Sequence, residues 1–304
     1  MPLRSKALGA VSAPSFFIGI YMIWLGLFCV LPVLLIIFVG DIFTAYEKFR
    51  GITNNRPWRW FKARRGWGMN VEELARRLGM NVDELQNLEP RYTETFIPKK
   101  RGGTRRLLVP QRDLNAAQRR ILHRLLGRLR AHPACTGFEK GKSIVHNAIP
   151  HVGRRVVIKM DIVDFFPTTQ AKRIEWYFRR IGWNAATAAL LTRLCTHEGA
   201  LPQGAPTSPR LANLVNYMVD SRIDRFVRRR KGSYTRYADD ITISFPKDYP
   251  RRVRGAIQVV RRAVKRFGYR IHTRGKLRVL RPHQRQVVTG LVVNAKVQLP
   301  RKQR

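Results

Sequence analysis

Tyr234-Thr-Arg-Tyr-Ala-Asp-Asp-Ile-Thr-Ile-Ser244 alternates in character on both sides of an Ala238-Asp239-Asp240 tip. Period-two alternation marks a half-buried strand, so the run predicts a hairpin over 234–244. Aspartate is common in turns, which is the plainer reading of the tip. Adjacent carboxylates repel each other, however, and a divalent cation relieves that repulsion. Upstream, Val156-Val-Ile-Lys-Met160 reads as a buried strand that ends in Asp161, followed by Asp164-Phe165-Phe166. One carboxylate at a strand end and two on a neighbouring hairpin can hold two Mg²⁺ about 3.5–4 Å apart. Such a cluster needs explaining because acids are scarce: 19 Asp+Glu stand against 59 Lys+Arg in 304 residues, a formal net charge of +40. That balance argues against an acidic small-molecule enzyme and makes a polyanion, nucleic acid first, the default partner. A hydrophobic content of 44% excludes wholesale disorder. Cys29, Cys135 and Cys195 form neither a disulfide framework nor a metal-ligand spacing, which fits a reducing compartment.

No charged residue lies between Lys6 and Asp41, and 16–39 is apolar or nearly so. At about 1.5 Å per residue, a helix over that run reaches roughly 36 Å, enough for a ~30 Å hydrocarbon layer. A transmembrane helix is therefore expected over 16–40, after a tail of residues 1–15. Pro32 would kink it, and a buried core helix, or a true start at Met69, would also account for the run. The basic residues from Lys48 to Arg65 predict that the bulk of the protein is cytoplasmic, anchored to the cytoplasmic face of the inner membrane. Residues 41–68 read as a basic linker and 69–91 as a small helical element. In that element Asn70 and Asn81 are start signals and Gly79 a stop. Two short helices around a glycine resemble a DNA-reading helix-turn-helix, but the acidic first helix favours a docking element. From Tyr92 onward the pattern is α+β. Strands are expected at 96–98 and 106–109 around Gly102-Gly103, with helices over 113–129 and 211–226.

Three stretches together resemble a reverse transcriptase palm: Asp161, then Leu201-Pro-Gln203-Gly204-Ala-Pro-Thr-Ser-Pro209, then Tyr237-Ala-Asp239-Asp240. Two more narrow the likeness to the bacterial retron reverse transcriptases: Asn147-Ala-Ile-Pro-His151, and Val288-Thr289-Gly290 followed by Leu-Val-Val-Asn294. The likeness runs from about residue 70 to 294. It implies a right-hand polymerase with fingers at 92–155 and a palm with an antiparallel sheet at 156–294. Only a short basic tail, 295–304, follows, so a truncated or missing thumb is expected.

The resemblance implies that Asp161, Asp239 and Asp240 hold two Mg²⁺, which activate a 3′-oxygen and stabilise the leaving pyrophosphate. Asp164 has a supporting reading, with a hydrogen bond to a neighbouring turn as the alternative. Phe166 takes the position of an aromatic ring that screens out a ribonucleotide's 2′-hydroxyl, and Phe165 should point to the opposite face. Gln203 and Gly204 are expected near the nascent base pair, with Ser208-Pro209 as N-cap and first turn of the next helix. Arg105, after a flexible glycine turn, is the candidate grip for the triphosphate. Lys276 could supply a cation or proton to the pyrophosphate, or simply a backbone contact. Asn147, His151, Val288, Thr289 and Gly290 are implied in recognising the cognate RNA, with a hydrogen-bonding role for His151 as the alternative.

The family implies synthesis of RNA-linked single-stranded DNA (msDNA) from deoxynucleoside triphosphates on a structured noncoding RNA. It also implies a role in antiphage defence, with an effector protein as partner. Rival readings are a reverse transcriptase of another lineage (group II intron, diversity-generating or abortive-infection) and a non-catalytic membrane-tethered RNA-binding scaffold. A membrane-anchored toxin or sensor would leave everything after residue 90 unexplained.

Overall fold

The structure, a computed structural model, describes residues 68–98, 102–273 and 275–301. The expectations for 1–15, 16–40 and 41–67 lie outside the described residues. Among the described residues no helix is long and apolar enough to cross a membrane.

Chain order explains how the site is assembled. Asn70 caps α1 (Val71–Leu78) by accepting from the Glu73 amide at 3.2 Å, and Gly79 ends it at φ 61°. Asn81 makes no such bond before α2 (Val82–Asn87). Leu74, Leu78 and Leu85 are buried in the main core, so the element docks on the body, as its acidic first helix suggested.

Strands β1 (Tyr92–Pro98) and β2 (Thr104–Pro110) form a mostly exposed hairpin. The helix expected over 113–129 is α3 (Arg112–Arg120) only. It continues as a π turn over Ile121–Leu125 and a 3₁₀ turn over Leu126–Arg128. A short α4 (Ile144–Ala148) runs into a 3₁₀ turn, Ile149–His151, and then β3 (Val156–Asp161).

Helices α5 (Ala171–Arg180) and α6 (Ala185–Cys195) follow. The single helix expected over 211–226 is instead two, α7 (Ser208–Val215) and α8 (Tyr217–Arg228). They break at Asn216, whose amide donates to the Ala212 carbonyl (2.8 Å) and the Tyr269 hydroxyl (2.9 Å) while its oxygen accepts from Arg173. Ser208 lies inside α7, and Thr207 holds the cap position.

Next come β4 (Ser233–Tyr237), β5 (Asp240–Phe245), α9 (Pro250–Lys265), β6 (Arg278–Leu280) and a two-residue-per-strand hairpin, β7 (Val287–Val288) with β8 (Leu291–Val292). The central sheet has the order β4-β5-β3-β6 and is antiparallel throughout. This is the architecture expected of a palm.

Strand alternation sorts the sheet into two faces. Val156, Ile158 and Met160 pair with Phe245, Ile243 and Ile241, and these six are buried in the same core as the α8 and α9 residues Ile223, Val227, Val260 and Val264. Asp161, Lys159 and Val157, paired with Asp240, Thr242 and Ser244, share the other face. Toward its far end that face is covered: Val157 joins Ala148, Val288, Leu291 and Val293 in a small second core.

Candidate active site

The β4–β5 turn has two central residues, Ala238 and Asp239, since Tyr237 pairs with Asp240. Ala238 takes φ 54°, so a non-glycine residue sits in the left-handed region at a tight hairpin tip. The strain is held in place from three directions. The buried Arg236 guanidinium donates to the Ala238 carbonyl at 3.0 Å. Arg236 is itself locked to Asp220 of α8 by two bonds of 2.7 Å, and the Tyr234 hydroxyl donates to Asp220 at 2.6 Å. Gly137 packs so close that a Cβ there would stand 2.8 Å from the Ala238 nitrogen. Both partners of the ion pair are essentially inaccessible, so loss of either leaves an uncompensated buried charge. This support was missed in the sequence. The available signal was a charge, Arg236, at a strand position whose neighbours in register, Tyr234 and Ile241, face the core.

Asp161 and Asp240 stand directly opposite each other. The Ile162 amide donates to the Asp239 carbonyl at 3.0 Å, which makes Asp161–Asp240 a non-hydrogen-bonded pair. That type of pair brings side chains closest, with Cα atoms about 4.5 Å apart. The three carboxylates of the resemblance thus meet at one end of the sheet. Burial, then the Asp161 charge, pushes the Asp239 carboxyl up to about 6. Burial is also the main cause that raises Asp240, with Lys159 opposing it. Lys276 donates to Asp161 at 2.8 Å, and His272 Nε2 lies 3.3 Å from the same oxygen. Among the described residues no three His, Cys, Asp or Glu side chains are gathered closely enough to hold a metal ion. The donor set is nevertheless what hard cations take, oxygen-only carboxylates, and the crowding that raises Asp239 is relieved by added positive charge. In donor chemistry, though not in the spacing of three ligands, the residues fit a divalent metal.

The carboxylates open into a cleft of about 810 Å³, which Arg105, Phe166, Gln203 and Lys276 also line. Arg105 makes no ion pair among the described residues, whereas its neighbour Arg106 is engaged by Glu94 and by Glu198 at 3.3 Å. Phe166 is half-buried and Phe165 buried. Strand alternation does not explain the difference, because the chain turns after Ile162. Gly204 does not line the cleft. At φ 124°, with a Cβ position only 2.8 Å from the Leu108 carbonyl, it lets the Gln203 loop dock on β2, where the Leu108 amide donates to the Gln203 carbonyl at 2.7 Å. Asp164, at φ 43°, offers its carbonyl to the Thr168 amide.

The expected RNA contacts through Asn147, His151 and Val288 need correction, since all three are fully buried. His151 bridges two strands of the sheet, its ring nitrogens 2.7 Å from the Ser244 hydroxyl and 2.8 Å from the Thr235 hydroxyl. Burial, with Arg154 adding to it, pushes this imidazole down to about 3. A neutral ring donates through one nitrogen and accepts through the other, which suits two hydroxyls. Asn147 accepts from Thr136 at 2.6 Å and donates to Thr289 at 3.4 Å. Thr289 (φ 45°) and Gly290 (φ 88°) form the β7–β8 turn, both in the left-handed region that such a turn requires. The two motifs, more than a hundred residues apart in sequence, are one brace beneath the sheet. Ile149 and Gly290 are exposed there, and Pro150 and Thr289 partly so.

Comparison with known proteins agrees with this geometry. Residues 97–287 match the family model described as reverse transcriptase (RNA-dependent DNA polymerase). Curated relatives include the retron Mx162 reverse transcriptase of Myxococcus xanthus, 37% identical over 74% of this chain and 53% of its own length. The retron Mx65 reverse transcriptase of the same organism is 37% identical over 77% and 60%. The retron Ec86 reverse transcriptase of Escherichia coli is 34% identical over 74% and 71%. The chain belongs to the bacterial retron-type reverse transcriptases. It spans between half and two thirds of the length of the Myxococcus relatives. The family implies the fingers-and-palm polymerase fold.

Proposed function

We propose that the chain is an RNA-directed DNA polymerase that extends a 3′-end with deoxynucleoside triphosphates on a structured noncoding RNA, giving RNA-linked single-stranded DNA. The observation that carries the reading is the direct pairing of Asp161 with Asp240 beside Asp239, at the floor of a cleft lined by Arg105 and Lys276. Asp161, Asp239 and Asp240 would hold two Mg²⁺. Bound there, the metal supplies an activated attacking oxygen and charge stabilisation for the leaving pyrophosphate.

The protein's own side chains do the rest. Arg105, free of carboxylate partners among the described residues, can give a planar fork to triphosphate oxygens. Lys276 touches Asp161 and faces the cleft, so it can hold a proton or positive charge near the departing phosphate. Phe166 supplies an apolar wall that would crowd a 2′-hydroxyl. Catalysis is mainly positioning and electrostatics, with no covalent intermediate. The turn at Thr289-Gly290 and the exposed Ile149 are the parts of the motif brace available to RNA. A role in antiphage defence with an effector protein, and a cytoplasmic location tethered through 16–39, complete the proposal.

The test is incorporation of labelled deoxynucleotide with the RNA encoded upstream, with and without Mg²⁺, for the wild type and the Asp239→Ala/Asp240→Ala variant. Equal incorporation by both proteins rejects the site. No product from either supports the non-catalytic scaffold.

A further inference from the structure

The cleft accounts for little of the protein's positive charge. A second concentration lies on α8 and α9, which cover the sheet face opposite the one bearing Asp161 and Asp240. On α8 the exposed stripe is Arg225 and Arg228, continued by Arg229, Arg230 and Lys231 just past its end. On α9 it is Arg251, Arg254, Arg261, Arg262 and Lys265. Spacings of three and four residues put each set on one side of its helix, and from Arg251 to Lys265 the row is roughly 21 Å long. The helices pack directly, with the Phe226 ring 3.4 Å from where a Cβ at Gly255 would stand, so the two stripes belong to one layer. Among the described residues only Arg228 of this set has an acidic partner, Asp224.

Like charges held this close and left unpaired cost stability unless a polyanion neutralises them. We propose that the outer face of α8 and α9 is a second binding surface, one that grips the phosphate backbone of a double-helical RNA segment without reading its sequence. The choice of partner follows from what surrounds the cations. Arginine predominates, and its fork suits phosphate oxygens. A helix lying on a membrane would bury an apolar face in lipid, but the apolar face of α9 (Val253, Ala256, Val260, Val264) is already inside the core. Single strands are held by bases stacking on open aromatic rings. Here Phe226 and Phe267 pack on the core, with Arg230 lying 3.7 Å over the first and Arg222 5.6 Å over the second, and the exposed ring at the start of α9, Tyr249, already carries Arg252 4.6 Å over it. Backbone charge is what this surface offers.

The surface does not depend on catalysis, so binding tests it apart from polymerisation. The full chain is titrated with a short blunt-ended RNA duplex over a series of salt concentrations. Arg254→Gln/Arg261→Gln/Lys265→Gln should lower the slope of log affinity against log salt by about 2.7, at about 0.9 per phosphate contact. Extension of a pre-annealed primer on a short template should proceed at the wild-type rate. The single Arg261→Gln variant, with a slope change of about 0.9, serves if the triple variant does not fold. Arg254→Lys/Arg261→Lys should keep the wild-type slope. An unchanged slope in the triple and single Gln variants overturns the proposal. So does a loss of binding confined to vesicles of anionic phospholipid while duplex binding is intact.

Discussion

The β4–β5 hairpin is two different environments within a few residues. Along its stem the buried ionisable groups are answered: His151 by two hydroxyls, Arg236 by a bidentate carboxylate, Asp220 by arginine and tyrosine. At its tip the carboxylates crowd one another, and burial leaves Asp239 pushed up to about 6. The stem stabilises the fold and is chemically quiet. The tip opposes folding and is reactive. Binding sites are often built this way, with unsatisfied charge held where only a ligand completes it.

The comparison can be broken at the tip first. Asp239→Ala/Asp240→Ala should abolish nucleotide incorporation by about a thousandfold or more. Its melting temperature should be no lower than the wild type's, because the variant removes repulsion rather than a bond. A large drop in melting temperature would mean that the tip is structural. In the stem the pattern reverses. Arg236→Met strands the Asp220 charge and should cost about 3–5 kcal/mol in denaturant unfolding, whereas adding Asp220→Leu should recover most of it.

His151→Ala comes next, at about 2–4 kcal/mol, from a cavity and two hydroxyls left without partners. It sharpens the comparison through pH. The folded ring stays neutral down to about 3 while the unfolded ring titrates near 6.5, so its contribution is complete above about 6.5 and is lost as pH falls through that window. The wild type should therefore lose up to about 1.4 kcal/mol per pH unit from this group, a dependence absent in the variant. Smallest is Ala238→Gly, which relieves the left-handed strain and should stabilise the fold by about 1 kcal/mol in thermal melts.

The hairpin and the carboxylate set were readable because both leave local marks: period-two alternation, and acids at strand ends in a chain that has few. The α1 boundaries were readable for the same reason, with Asn70 and Gly79 each carrying out its capping chemistry locally. The break at Asn216 left no such mark. The apolar pattern runs through it, and the partners that satisfy the broken turn, Arg173 and Tyr269, come from distant segments. The burial of His151 was hidden likewise, since its two partners sit on β4 and β5 and the cover beside it is a hairpin near residue 290. Arg236 was visible but unread: an inward-pointing charge on a strand demands a buried counter-charge, and the helix just before it carries one.

The two-residue turn between Tyr237 and Asp240 also fixes how the sheet can change. Pairing moves in whole residues, and each step turns a strand over. One residue inserted between Ile241 and Ser244, with the far end of β5 held in register, would turn Ile241 toward the cleft and leave Asp240 facing the oily helix layer. Length variation around this hairpin should therefore be confined to loops beyond its strands, and libraries built to diversify the protein should vary side chains there while holding segment lengths constant.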